Sequence, residues 1–268
     1  MIIDAHLHLP VITEQRTYNQ AKDQLVADLR KDQVDYAILI PDNVPDSVIG
    51  DVDTCLRLIE GESRLFLLGT VDIERQGAEW IAYIESLVVC RKIVGMKIFP
   101  GHDPIYPTDP RLFPFYEICQ VHGIPMVIHT GWNPGHPEVA RYNDPSYIVE
   151  VARRYPALRV VIAHFFWPEV DYCFDLTHSY PNIYFDTSGL ADRGLVEATG
   201  EEAIQRVLLK TLSEDPKKVI FGTDHPMCDR QQHVDLINTL PISTEVREGI
   251  FWRNAAQLFN LPMDTGSV

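Results

Sequence analysis

Eight short β-branched runs, each followed by a longer stretch with helical periodicity, fill the chain from end to end without a linker or repeat. That alternation, together with a length of 268 residues, predicts a single-domain (β/α)8 TIM barrel, an α/β fold that needs about 250 residues. A doubly wound open sheet shares the alternation, but no G-x-G-x-x-G or Walker loop follows any run. The barrel is expected over 1–262, with 263–268 as a flexible C-terminal tail.

The first run, "MIIDAHLHL", has the period of two that puts Asp4, His6 and His8 on one strand face and Ile3, Ala5 and Leu7 on the other. "YNQAKDQLVADLRKDQ" spaces Ala21, Leu25 and Leu29 four apart among charges, as an amphipathic helix does. "VDYAILI" (34–40), "LFLLGTVD" (65–72) and "IVGMKIFP" (93–100) are near-continuous apolar segments, expected of parallel strands buried on both faces. "PRLFPFYEICQVHG" reads as a helix stopped at His122-Gly123, before the strand "PMVIHTG" (125–131). "NDPSYIVEVARRYP" opens with Asp144 as N-cap and Pro145 in the first turn, and leads into "RVVIAHFF" (159–166). "IYFDTSG" (183–189) and "KVIFGTDHP" (218–226) complete the strands. "ISTEVREGIFWRNAAQLFNL" is the closing helix, and Pro156, Pro181 and Pro216 mark helix ends or the loops after them.

With 38 acidic against 23 basic side chains, the formal charge is −15. Such a surface repels phosphate backbones and anionic lipid, so neither nucleic acid nor a membrane is expected as the main partner. A small-molecule substrate, which can itself be anionic, fits better. The apolar runs are too short to span a membrane, and the N-terminus lacks a signal-peptide pattern. Five scattered cysteines with no C-x-x-C pair suit reduced thiols in a cytoplasmic protein.

Each run ends in a polar residue: His6 and His8, Asp42, Asp72, Lys97, His129, His164, Asp186, and Asp224-His225. In a closed barrel these ends gather on one rim, where barrel enzymes keep their chemistry. Any one of these residues alone reads as a satisfied core histidine or a loop cap. All of them at the same end of consecutive strands read as a site. Imidazoles plus a carboxylate suit one divalent first-row ion, zinc first and manganese second, and His6, His8, His129 and Asp224 are the best four ligands. Such an ion brings the pKa of a coordinated water to about 7. His164 either completes a second metal position or acts as acid/base. Trp132, on the loop after the fifth strand, is a candidate lid or pocket wall. Phe166, in "HFFWP", either stacks on a flat substrate or packs under the next helix. Arg141, Arg193 and Arg230 are candidate carboxylate clamps.

The ordered set "DAHLH … VIHTG … IAHFF … FGTDHP", with "RNAAQLFNL" near the end, resembles the amidohydrolase superfamily across essentially the whole chain. The likeness is to its amidohydrolase-related branch of metal-dependent hydrolases and nonoxidative decarboxylases. It implies that His6, His8, His129 and Asp224 are metal ligands, that His164 transfers protons, and that Asp224 also accepts a proton from the nucleophilic water. A homodimer is common in that branch. Some superfamily members carboxylate a fourth-strand lysine to bridge two metals. Lys97 stands at that place and is read here as a contact for a substrate anion.

Two reactions use this ligand set. Hydrolysis of a lactone, ester or amide is the first expectation, and decarboxylation of an unsaturated or aromatic acid is the second. An anion clamp beside aromatic walls favours decarboxylation, whereas an open line of approach for water favours hydrolysis. A non-catalytic metal-binding scaffold is the alternative from another class.

Overall fold

Every apolar run contains a parallel strand. The computed structural model describes residues 1–75, 77–133 and 136–263. Its strands are β1 (Ile3–Leu7), β2 (Tyr36–Leu39), β3 (Leu65–Thr70), β4 (Gly95–Ile98), β5 (Met126–Ile128), β6 (Val160–Ile162), β7 (Ile183–Asp186) and β8 (Val219–Ile220). They pair in sequence order. Backbone bonds from Ala5 N to Phe221 O (2.9 Å) and from His8 N to His225 O (2.7 Å) join the last strand to the first. The expected barrel is thus nearly closed, and the expected tail falls, except for Met263, outside the described residues.

Helices α1 (Tyr18–Lys31), α2 (Val52–Leu58), α3 (Ala78–Val89), α4 (Phe113–His122), α5 (Pro145–Arg154) and α6 (Val170–Thr177) fill the first six connections. Two helices, α7 (Arg193–Thr199) and α8 (Glu201–Glu214), join β7 to β8, and α9 (Arg230–Thr239) follows β8. The termini obey local chemistry. Thr17 and Gln20 form a capping box at α1, Gly123 takes the left-handed conformation (φ 62°) after α4, and the Asp144 side chain accepts from Ser146 N ahead of α5.

The closing helix departs from its expected single span. It runs as α10 (Thr244–Glu248), a π-type turn over Gly249–Arg253, and α11 (Asn254–Leu258). The turn lets Ile250 O accept from Phe221 N while the Asn254 amide donates to Pro216 O and Val219 O, tying the chain end to β8.

Two apolar layers result. The outer one packs strand residues such as Ala37, Leu39, Met96, Ile98 and Ile128 against the helices. The inner one holds Ile3, Ala5, Ile38, Val127 and Val161, with Ala255, Leu258 and Phe259 of the C-terminal segment against them. Strand β1 does not keep the even alternation its sequence suggests. Asp4 pairs with Ala37 and Leu7 with Leu39, so β1 carries one residue more than β2 over that span. This bulge leaves Ile3 and Ala5 in the inner layer but Leu7 in the outer one. Asp4 is set on the outer side, where its Oδ1 accepts from His6 N (3.3 Å) rather than sharing the face of the His6 and His8 rings.

Candidate active site

The bulge delivers His6 to the barrel mouth, where its neighbours fix its tautomer. His6 Nδ1 donates to Asp186 Oδ2 at 2.7 Å, and His8 Nδ1 donates to Ile40 O at 2.9 Å. Nδ1 is thus the hydrogen-bearing nitrogen turned away from the mouth in each ring, and the Nε2 atoms lie 3.5 and 3.3 Å from Asp224 Oδ1. Strand β6 ends in a turn with three successive left-handed residues, His164 (φ 65°), Phe165 (50°) and Phe166 (53°). It brings the His164 ring beside His6, with centroids 4.9 Å apart, and directs His164 Nδ1 at Ser188 O (3.1 Å) and Ser188 Oγ (2.9 Å). His6, His164 and Asp224 each offer a ligand atom within 4.8 Å of the other two. His129 sits one ring further along, 5.1 Å from His164 and 4.5 Å from His102. The imidazoles of His6, His8 and His164 and the Asp224 carboxylate, each backed by a fixed hydrogen bond or turn, suit a divalent ion with nitrogen and oxygen preference, and His129 adjoins them through the His164 ring.

Electrostatics keep the donors in ligand form. Burial, reinforced by the Lys97 charge, lowers the His6 pKa despite Asp186. Burial pushes His164 down to about 4 and His129 well below the ordinary histidine value. For Asp186, burial pushes up, but His6, His164 and the Ser188 hydroxyl outweigh it and hold the carboxyl well below the usual range. Asp224 behaves alike, its burial outweighed by His8, His164 and His6. Lys97, only 1% exposed, is brought down to about 8 by burial, partly offset by Asp186 and Asp224. Among the described residues its ammonium makes no hydrogen bond or ion pair; it lies over the Phe99 ring, 5.2 Å from the centroid.

A cavity of about 450 Å³ opens above this floor. Lys97 and His129 line it, as does Trp132, whose ring meets Trp167 edge-on at 6.0 Å. Ile49, Leu195 and Met227 add apolar wall, and Asp42 and Asp192 are acidic lining residues beyond the strand ends.

Two expected contacts do not line it. The Phe166 side chain is buried in the outer apolar layer, because the left-handed turn that aims His164 at the mouth carries Phe166 away; Trp167 lines the cavity instead. Arg230, 2% exposed, is spent on a buried network: Nε donates to Asp4 Oδ2 at 3.1 Å and Nη1 pairs with Asp32. It begins α9 behind the wall rather than in it. Arg193 pairs with Glu197 and Arg141 lies against the Tyr142 ring, both at the surface.

Several contributors escaped the sequence reading. Asp186 is placed on the rim there without a role of its own, whereas it fixes the His6 ring. Ser188, which bridges Asp186 and His164, carries no sequence signal. Asp4 shares the H-x-H stretch but acts on the far side of β1, accepting from Thr223 N (3.1 Å) and Thr223 Oγ1 (2.6 Å) next to Asp224.

The fold is a (β/α)8 barrel with a histidine–carboxylate cluster at its mouth, and comparison with known proteins gives the family. The chain belongs to the amidohydrolase family, whose model matches residues 3–261. Among solved structures it resembles a TIM-barrel protein of uncharacterised function from Bordetella bronchiseptica (TM-score 0.76, 22% identity, covering 97% of this chain and 98% of that one). It also resembles a probable 2-pyrone-4,6-dicarboxylic acid hydrolase from Acinetobacter baumannii (0.71, 16%, 97% and 99%). A third neighbour is a dihydroxybenzoic acid decarboxylase from Polaromonas sp. with bound manganese and 2-nitroresorcinol (0.68, 17%, 98% and 97%). At these identities the neighbours establish the fold. Among curated proteins, 37 residues are 51% identical to cyanate hydratase of Synechocystis sp.; the match takes in 13% of this chain and a quarter (25%) of that protein's length. Among the described residues no helix is long and apolar enough to cross a membrane.

Proposed function

We propose that this protein is a metal-dependent carboxy-lyase that removes CO2 from a small, flat organic acid. The observation that carries the reading is Lys97. A buried ammonium with no hydrogen bond or ion pair among the described residues is costly to keep charged, and a substrate carboxylate supplies the missing partner. Phe99, Trp132 and Trp167 line the same cavity and suit an aromatic or conjugated body. His6, His8, His129 and Asp224 would hold a divalent ion, zinc or manganese, which would supply a Lewis acid at the floor.

The protein's own groups account for the proton. In the free site His164 is neutral and Asp224 ionised, so both are acceptors. An acidic proton brought in on a substrate hydroxyl passes to this pair. It returns to the carbon that keeps the electron pair when the bond to the departing CO2 breaks. His164 is held for this by Ser188, and Asp224 by the backbone bond from its N–H to His6 O (2.8 Å).

Hydrolysis is the second reading, and the same two acceptors favour it, because they equally suit drawing a proton from an attacking water. Metal-loaded protein incubated with hydroxybenzoic acids, and separately with lactones and esters, separates the two. Release of CO2 supports the proposal. Release of acid from lactone or ester without CO2 replaces it with hydrolysis. Inactivity on both sets, with metal bound, returns the scaffold reading.

A further inference from the structure

The charges around the cavity bear on which acid it accepts. Among the described lining residues Lys97 is the one lysine or arginine, whereas Asp42, Asp192 and Asp224 are carboxylates. Of the candidate arginines, Arg230 is committed to Asp4 and Asp32 and Arg193 to Glu197, and Arg141, which donates to Tyr142 OH, does not line the cavity. Asp192 caps α7 through one oxygen, Oδ1, which accepts from Gly194 N (2.9 Å) and Leu195 N (3.2 Å). Its Oδ2 makes no hydrogen bond among the described residues. The lining therefore offers one cationic side chain at the floor and, beyond it, carboxylates beside neutral polar groups such as Asn43 and Thr130; Asp42 already accepts from Asn43 N and Ser47 Oγ, which leaves Asp192 Oδ2 as the open acceptor among the described residues.

We infer that the cavity selects a monocarboxylic acid, its single carboxylate at Lys97 and its body uncharged and bearing hydroxyl or amine donors toward Asp192 and Asp42, and that it rejects dicarboxylic acids. The inference rests on the reading of Lys97 as the counter-ion of the substrate carboxylate. Away from the floor, where Lys97 and the metal site lie, a second carboxylate would lose water, gain no cationic side chain and face Asp42 and Asp192, whereas a hydroxyl would donate to the open Asp192 oxygen.

Calorimetric titration of the metal-loaded protein with 2-hydroxybenzoate, and with the same ring carrying a second carboxylate, tests this without turnover. The monocarboxylate is expected to bind at least about tenfold more tightly. Asp192→Asn, which keeps a helix-capping side chain, is expected to narrow that gap severalfold. Lys97→Met is expected to weaken the monocarboxylate by about tenfold or more with metal content unchanged. Equal or tighter binding of the dicarboxylate, an unchanged gap in Asp192→Asn, or no binding of either acid overturns the inference. Selective binding without CO2 release sinks the carboxy-lyase reading and leaves this inference standing. CO2 release from the dicarboxylate in preference to the monocarboxylate does the reverse.

Discussion

The two halves of the barrel mouth are built by different means. On the β4–β5 side the strands keep their alternation. Met96 and Ile98 face the outer layer, so Lys97 faces inward, and His129 follows inward Val127 by two residues. On the side formed by β1, β6 and β8, regular geometry is abandoned at each functional residue. His6 arrives through a bulge, His164 through three left-handed residues, and Asp224 in a left-handed conformation of its own (φ 66°). Non-glycine residues held there cost about 1–3 kcal/mol each, and they persist where surrounding structure over-determines them. Here Asp186 and Ser188 hold His164 by its N–H and ring, His6 O accepts from Asp224 N, and Asp4 and Thr223 fix the residues on either side of Asp224. The regular side presents one ammonium and one imidazole to a ligand. The irregular side brings His6, His164 and Asp224 together.

The largest effect should come from emptying the irregular side. A His6→Ala/His8→Ala variant is expected to purify with less than about 0.1 metal equivalent per chain and to lose activity by about 10³-fold or more. His164→Ala should retain its metal and lose about 10²–10⁴-fold in turnover, marking it as a proton carrier rather than a ligand. Elemental analysis alongside kinetics decides both, and unchanged metal in the double variant would break the contrast between the two sides.

The same contrast explains what was legible in the sequence. Strand order, the placing of Lys97 and His129 at strand ends, and the helix cap at Asp144 follow from periodicity and local hydrogen bonding, which a sequence displays directly. A bulge does not alter residue order, so the even spacing of Asp4, His6 and His8 wrongly suggested one face. The left-handed turn at His164–Phe166 is imposed by tertiary bonds, among them Asp186 Oδ1 accepting from His164 N (3.1 Å) and Thr130 Oγ1 accepting from Phe166 N (2.8 Å). Nothing local in "AHFF" announces it, and that is why Phe166 was expected in a pocket it does not line. Arg230 misled for a related reason: its partners, Asp4 and Asp32, lie about two hundred positions away in sequence.

Next in size is the tether behind β1. Asp4→Asn removes a charge from fully buried Arg230 and should cost about 3 kcal/mol, or roughly 6–12 °C in Tm, because the guanidinium is left under-compensated. Metal affinity should fall by about tenfold as Thr223 and Asp224 loosen. A variant with wild-type Tm and metal content would show that Asp224 is held by the β8 turn alone.

A smaller pair of substitutions sharpens the comparison between the sides. A Cβ at Gly222 would lie 2.8 Å from His6 Cβ, whereas one at Gly95 would meet Pro125 O at 3.0 Å under regular β4. Both Gly222→Ala and Gly95→Ala overpack and should cost about 1–3 kcal/mol. Only the first should also reduce metal affinity, because the atom it displaces belongs to His6. Thermal melts paired with metal titration read the two effects apart, and equal metal loss in both variants would erase the distinction.

The smallest effect concerns the loop after regular β4, where no ligand is touched. Asp103 Oδ2 accepts from Asn43 Nδ2 at 2.6 Å. Burial pushes this carboxyl up to about 6; the Asn43 hydrogen bond opposes the shift, and Asp42, Asp72 and Glu74 add to it. The folded value thus exceeds the unfolded one, about 3.9, so the folded state binds the proton more tightly. The contribution of Asp103 to stability is therefore fully present below pH about 4 and is lost as pH rises through about 6. Asn at this position can still accept from Asn43 but does not ionise. The Tm of Asp103→Asn relative to wild type should accordingly climb between pH 4 and 7 and then level off. The rise should be about 2–4 °C, the size of a roughly 1 kcal/mol effect once solvent screening of a partly exposed carboxylate is allowed for. Because the change lies outside the histidine cluster, metal content should stay constant throughout. A Tm difference that does not vary with pH would mean that Asp103 keeps its charge in the fold, and that the regular side of the mouth carries no stored electrostatic cost.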